Sequence, residues 1–201
     1  MVFKNAIVLT GGIATGKSSV AKFFMKDDFF LIDADKIAHG MLTIHYQKIS
    51  DLFGEKYVEN GVVNRKQLGQ LIFSNKEEKK RLESLLHPLI FNEIERQAKE
   101  LDLKEEPYIV DIPLFFESKN RYPMEKIIVV YTSKKKQLER LMLRDNFKKD
   151  EAQQRINSQM DIEIKRQKAT YVIDNSQDIN YLQDEYVKVR DKILSTFKET
   201  L

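Results

Sequence analysis

Ala6-Ile7-Val8-Leu9-Thr10-Gly11-Gly12-Ile13-Ala14-Thr15-Gly16-Lys17-Ser18-Ser19 is the stretch on which the reading of this chain turns. Its four leading apolar residues predict a buried strand, and Val20, Ala21, Phe23 and Phe24 beyond it carry helical spacing. Between strand and helix, Gly11 to Ser18 match G-x-x-x-x-G-K-[ST], the phosphate-binding loop, in the structural context that motif requires. Its glycines let successive N–H groups turn inward as an anion cradle, and the following helix aims its partly positive N-terminus at the same anion. Gly12, Ile13, Ala14, Thr15, Gly16, Lys17, Ser18 and Ser19 are therefore the candidate nucleotide-binding residues. Lys17 is expected to reach the β- and γ-phosphates and the Ser18 hydroxyl to help hold Mg²⁺.

Composition narrows the class. A chain of 201 residues with 42 % hydrophobic content suits one α/β domain, 1–201, with helical insertions. No segment approaches the roughly 20 apolar residues of a membrane span, and the N-terminal apolar stretch lacks a secretory cleavage site. The absence of cysteine excludes disulfides, thiolate metal sites and cysteine catalysis. A soluble, cytoplasmic protein is the expectation. Net charge is only +3, yet Ser133–Lys168 holds 11 Lys/Arg against 6 Asp/Glu, and the rest holds 23 against 25. A local basic segment suits an anionic ligand or a solvated helix face, whereas a nucleic-acid-binding protein needs a broader positive surface.

Further apolar runs read as strands, unevenly spaced along the chain. Phe29-Phe30-Leu31-Ile32-Asp33 reads as a buried strand ending in a carboxylate, and Asp33-Ala34-Asp35 opens a helix through Ile37, Ala38 and Met41. One of the two acids is expected to cap that helix and the other to be functional. Residues 43 to 101 lack a central strand. His45–Phe53 and Asn64–Phe73 read as helices, Gly54–Val63 as turns, and Asn75 opens a charged helix. Pro88 is expected to interrupt that helix, with His87 capping a second one that runs to Leu101. The stretch 36–102 is thus a helical insertion of a size that commonly carries a second substrate's site.

Pro107–Asp111 is the third strand, again ending in Asp, and Lys126–Thr132 the fourth. Continuous apolar runs of this kind suit a parallel sheet covered on both faces. Ser133 caps a helix with Leu138, Leu141 and Met142 inward, on which Gln137, Arg140 and Arg144 share a face. A second helix, Lys149–Met160, carries Arg155 and Gln159, and the pair of helices in 133–168 is expected to form a lid. Tyr171–Asn175 is the fifth strand. Asp178 caps a last helix whose Ile179, Leu182, Tyr186, Val189, Ile193 and Phe197 form a core-facing stripe.

Taken together, the motifs resemble the dephospho-coenzyme A kinase family over nearly the whole chain. The residues that carry the resemblance begin with Leu9-Thr10-Gly11-Gly12-Ile13, Gly16-Lys17-Ser18 and Ile32-Asp33-Ala34-Asp35. Phe53-Gly54, Arg65, Phe73, Leu82-Glu83 and His87-Pro88-Leu89-Ile90 come next. Asp111-Ile112-Pro113-Leu114, Phe116-Glu117, Gln137, Arg140-Leu141-Met142, Arg155-Ile156, Gln159-Met160 and Val172-Ile173-Asp174-Asn175 complete the pattern. The phosphate loop is generic to many kinases, while the Ile-Asp-Ala-Asp, His-Pro-x-Ile and Asp-Ile-Pro-Leu elements are specific. The family usually has glycine at Ala14, Asp at Asn64, proline at Asp161, and glycine-leucine within Ser118-Lys119-Asn120. Ala14 is accordingly expected to fit the loop without positive φ.

The resemblance implies a five-stranded parallel sheet with helices on both faces, of the P-loop kinase type, with a helical substrate region and an arginine-bearing lid. It implies ATP-dependent phosphorylation of the 3′-hydroxyl of dephospho-coenzyme A, with Mg²⁺. Charge and hydropathy lead to the expectation of no nucleic-acid or membrane partner, and no obligatory protein partner is evident in the sequence. Lys17, Asp33 and Arg140 would be catalytic, with Arg144 or Arg155 assisting Arg140. Asp33, Asp35, Arg65, His87, Leu114, Phe116 and Arg155 would touch the acceptor, and Ser18 and Asp111 the metal. The rivals are another small-molecule kinase, for nucleoside monophosphates or shikimate, and a GTP-dependent switch. The switch expects Asp-x-x-Gly and Asn-Lys-x-Asp, which Asp111-Ile112-Pro113-Leu114 and Asn75-Lys76-Glu77-Glu78 do not supply.

Overall fold

The computed structural model describes residues 2–118 and 122–198. In chain order, β1 (Ala6–Gly11) leads into α1 (Lys17–Lys26), β2 (Leu31–Asp33), α2 (Ala34–Ile44) and α3 (Tyr46–Phe53). A short hairpin, β3 (Val58–Glu59) with β4 (Val62–Val63), precedes α4 (Arg65–Ser74) and α5 (Lys76–Asp102). Then come β5 (Tyr108–Asp111), β6 (Lys126–Tyr131), α6 (Lys134–Asp145), α7 (Lys149–Asn157), α8 (Ile162–Gln167), β7 (Tyr171–Asp174) and α9 (Ile179–Lys198). The chain divides into two compact units, Met1–Ile32 with Ala98–Leu201, and Asp33–Gln97.

β1 is buried at every residue and occupies the centre of a five-stranded sheet of order β2-β5-β1-β6-β7. It runs parallel to both neighbours, with Leu9 opposite Asp111 on one side and Ile128 on the other. This order places a topological switch at the C-terminal end of β1, where an open parallel sheet leaves a crevice. The phosphate loop grows out of that end. Alternate strand residues Ile7, Leu9, Ile109, Ile128, Val130 and Ile173 meet Val20, Ala21 and Phe24 of α1 and Leu182, Tyr186, Val189, Ile193 and Phe197 of α9. Each Val, Leu, Ile and Phe among them contributes about 1.5–3 kcal/mol when fully buried, so this layer holds α1, and with it the loop, against the sheet. The apolar stripe of α9 starts at Leu182. Ile179, expected within it, is the first helical residue and is 58 % exposed.

The second unit has its own core of Ile49, Tyr57, Val63, Leu68, Leu82 and Leu86. The stretch Gly54–Val63, expected as turns alone, also closes a two-stranded antiparallel ribbon. Asn60 and Gly61 both have positive φ, 50° and 76°, as a tight hairpin turn requires.

Pro88 does not interrupt α5, which runs unbroken from Lys76 to Asp102, so His87 is an exposed mid-helix residue and caps nothing. A proline inside a helix removes one N–H donor and crowds the preceding turn. Here it sits on the exposed side, while Leu82, Leu86, Ile94 and Ala98 continue one buried stripe past it. Burial on both flanks outweighs the lost bond. The helix expected to reach Met160 ends at Asn157, and a separate α8 follows. Asp161 caps α8 by accepting the Glu163 N–H at 3.0 Å.

Candidate active site

The phosphate loop is held from behind by a set of side-chain bonds that leave its anion-facing side to the backbone. Thr15 Oγ1 donates to the Gly12 carbonyl at 2.9 Å, and the Thr15 N–H reaches the same carbonyl at 3.2 Å. Gly16 has φ of 91°, where a Cβ would strike the Asn175 side-chain amide, so only glycine closes this turn. That amide donates to the Thr15 carbonyl at 2.7 Å from a largely buried position after β7.

Ala14 has φ of +59°, against the expectation of an ordinary φ. Left-handed geometry costs an L-residue about 1–2 kcal/mol. Ala14 is kept there because its methyl group, with Ile13, packs on Leu141, Ala152 and Ile156 of α6 and α7.

Lys17 opens α1, and its ammonium lies 2.5 Å from Oδ1 of Asp111 at the end of β5. Register explains the meeting, because Asp111 pairs with Leu9 at the mouth of the loop. Ser18 and Ser19 occupy the second and third positions of α1, and Ser18 is exposed. A hydroxyl and a carboxylate are hard oxygen donors of the kind Mg²⁺ favours, so Ser18 and Asp111 fit the metal expected there. Among the described residues no group of three or more His, Asp or Glu gathers as a self-sufficient metal site.

Arg140 of α6 is half-buried and donates to the Asn175 carbonyl at 2.9 Å, which sets it beside the loop through one shared residue. Arg144, expected on the same face, turns instead to its neighbour Asp145, with both nitrogen contacts at 2.8 Å. That pairing and charge hold the Asp145 carboxyl below its ordinary range. Arg155 is exposed and stacks over the Phe147 ring at 4.3 Å. Leu114 is 47 % exposed, and Phe116 packs edge-on against Phe115. Lys119 and Asn120, the departure from the family's glycine-leucine, lie outside the described residues.

The second unit carries the remaining candidates. Asp33 ends β2 and is also the cap of α2, with Oδ1 accepting the Lys36 N–H at 2.9 Å. Asp35 is exposed in the first turn of α2, Arg65 is exposed at the start of α4, and His87 is exposed on α5.

The sequence pattern of the family described as dephospho-CoA kinase matches residues 5–181. The chain belongs to the dephospho-CoA kinase family. The dephospho-CoA kinase of Sulfurimonas denitrificans is 47 % identical over 199 residues, covering 99 % of each chain. That of Helicobacter pylori is 46 % identical, covering 94 % of this chain and 98 % of its own. The solved dephospho-CoA kinase from Campylobacter jejuni is 36 % identical at a TM-score of 0.74, covering 96 % of this chain and 98 % of that one. Shikimate kinase from Acinetobacter baumannii, at 17 % identity and a TM-score of 0.53, shares the fold alone.

Within this dephospho-CoA kinase family member, four side chains hold the loop although sequence reasoning assigned them no role. Asn175 fills the space beside Gly16. Gln159 Oε1 accepts the Ile13 N–H at 2.8 Å, and Gln137 Nε2 donates to the Ile13 carbonyl at 2.7 Å. Lys165 reaches the Gly11 carbonyl. The asparagine at the end of a strand and the two glutamines were visible as motif residues. Lys165 sat in a run of charges that reads as solvated surface, and no local signal marks it as buried.

Proposed function

We propose that the chain transfers the γ-phosphoryl group of ATP to the 3′-hydroxyl of dephospho-CoA, giving coenzyme A and ADP in the last step of coenzyme A synthesis. The family match over residues 5–181 carries this reading, and the complete phosphate loop with Lys17 and Asp111 at its mouth supports it.

The loop Gly12–Ser19 and the N-terminus of α1 would bind the triphosphate through their N–H groups, except those of Thr15 and Ser19, which are held by the Gly12 and Gly16 carbonyls. Ile13 contributes its place in the loop, since its own N–H is held by Gln159. Lys17 would carry its charge to the β- and γ-phosphates. Ser18 and Asp111, the latter directly or through water, would hold Mg²⁺, which when bound neutralises phosphate charge.

Asp33 would take the proton of the acceptor hydroxyl. As it does so, the hydroxyl oxygen bonds to the γ-phosphorus, and the bond to the bridging oxygen breaks with its electron pair leaving on ADP. Its bond to Lys36 N–H uses Oδ1, and Oδ2, which has only a long ion pair of 3.9 Å to the exposed Lys36 ammonium among the described residues, would do this work. Asp35 is the alternative base. Arg140 would neutralise charge on the moving group, and Arg155 would assist it, Arg144 being engaged by Asp145. Arg65 and His87 would meet the acceptor's anionic and polar groups, and Leu114 and Phe116 its apolar parts. The insertion, 36–102, would carry the acceptor. The segment 133–168 would close as a lid and exclude water from the transfer.

The test is direct. The protein is incubated with Mg·ATP and, separately, dephospho-CoA, nucleoside monophosphates and shikimate, and products are weighed by mass spectrometry. A gain of one phosphate on dephospho-CoA is expected. Its absence there, or a gain only on another acceptor, would remove the reading.

A further inference from the structure

The Lys165 side chain has no exposed surface, and its ammonium donates to the Gly11 carbonyl at 2.9 Å and to Glu117 Oε1 at 2.7 Å. The same carboxylate oxygen accepts the Met160 N–H at 2.9 Å. One residue earlier, Gln159 accepts the Ile13 N–H. Two consecutive residues of the segment joining α7 to α8 therefore hold two points of the phosphate loop. Gln159 does so directly at Ile13, and Met160 does so through Glu117 and Lys165 at Gly11.

These ties are not what stability alone would select. A buried ion pair contributes little net stability, and an apolar pair of similar volume often serves as well or better. Glu117 Oε2 and Gln137 Oε1 are also buried without partners among the described residues, an unfavourable arrangement for any polar atom. What the pair does supply is direction. Because the peptide is planar and trans, fixing the Gly11 carbonyl also fixes the opposed Gly12 N–H at the start of the cradle. The joining segment is not packed solid. A cavity of about 240 Å³ lies against Gln137, Gln159, Met160 and Asp161, so side-chain ties do the holding that packing leaves undone on that side.

We propose that Lys165, acting with Glu117, is a positioning residue for phosphoryl transfer. It registers the α7–α8 segment to the phosphate loop, so that the loop is shaped for a triphosphate when the arginine-bearing helices α6 and α7 are seated. The inference rests on the reading of the loop as an ATP site.

Lys165→Met is to be compared with a double variant, Glu117→Gln with Lys165→Met. The single change leaves a buried carboxylate without its counter-charge and lowers the melting temperature, while the double change removes both charges and recovers most of that loss. If the pair positions the loop, both variants bind ADP about tenfold more weakly by calorimetry, and KM for ATP rises with it. KM for the acceptor stays within about twofold, since the acceptor does not depend on the loop's shape. A folded double variant with native ADP affinity overturns the proposal, whatever its melting temperature. Should neither methionine variant fold, Lys165→Gln decides. Its shorter, uncharged side chain cannot span both partners, so a several-fold weaker ADP affinity is expected, and native affinity overturns the proposal. ADP binding needs no acceptor, so a wrong acceptor assignment leaves this result standing.

Discussion

The side-chain amide of Asn175 donates to the Thr15 carbonyl at 2.7 Å and fills the space where a Cβ on Gly16 would stand. The phosphate loop is thereby closed by a residue from the far end of the sheet, 160 positions later in the chain. The bond is buried, and the Asn175 carbonyl accepts from Arg140 on its other side. One asparagine thus ties the loop's glycine turn to the proposed arginine of the transfer.

Asn175→Ala is expected to lower stability by about 1–3 kcal/mol, because it strands the Thr15 carbonyl in a buried place. It should also weaken ADP binding, which a calorimetric titration would read. Gly16→Ala should abolish ADP binding in a folded protein, since its φ of 91° and the asparagine amide both oppose a methyl group. Native ADP affinity in Gly16→Ala would refute the clash.

Asp33 is given two tasks that one substitution can separate. Asparagine caps helices about as well as aspartate, so Asp33→Asn should leave the thermal midpoint within about 1 °C while kcat collapses. Full turnover in that variant would move the role of base to Asp35, and Asp35→Asn is the companion measurement.

Arg140 reaches the loop through the Asn175 carbonyl, and its removal should act mainly on the transition state. Arg140→Ala is expected to lose about 2–4 kcal/mol from kcat/KM, the usual cost of losing one pre-placed charge donor. Arg144→Ala, whose guanidinium is spent on Asp145, should stay within about threefold of the parent, a loss below 1 kcal/mol. Equal losses in both variants would place Arg144 in the transfer as well.

Acid should loosen the corner between α1 and α9. The Arg190 guanidinium bonded to Asp27 holds that carboxyl below its usual range, with a further bond from the Tyr186 hydroxyl at 2.8 Å. A depressed carboxylate contributes stability above its unfolded value, near 3.9, and loses it as pH falls through the folded value. Urea midpoints measured from pH 6 to 2 should fall more steeply for the parent than for Asp27→Asn. At pH 7 the variant should be less stable by no more than about 1 kcal/mol, because the pair is partly exposed. Parallel curves would show that Asp27 is not a source of the acid sensitivity.

Local pattern made much of this protein legible. The five central strands were readable because each is a short apolar run between turn signals, and a parallel sheet buries both faces. The phosphate loop needed only its own spacing, and Ser133 and Asp178 cap the helices they were expected to cap. The sheet order, with β1 at the centre, was settled by which strands pair over long separations. Three readings failed for the same reason. Pro88 stays inside α5 because buried residues on both sides hold the helix together, Ala14 keeps a positive φ because α6 and α7 pack on it, and Ile179 falls outside its stripe because the covered surface begins at Leu182. The inward turn of Lys165 beneath Gly11 belongs with them. Sequence by itself determined the strands, the loop and the two acids at strand ends, since each depends on neighbours along the chain. Tertiary structure alone decided which side chains hold the loop from behind, because those partners, Asn175, Gln137, Gln159 and Lys165, are more than a hundred residues away from it.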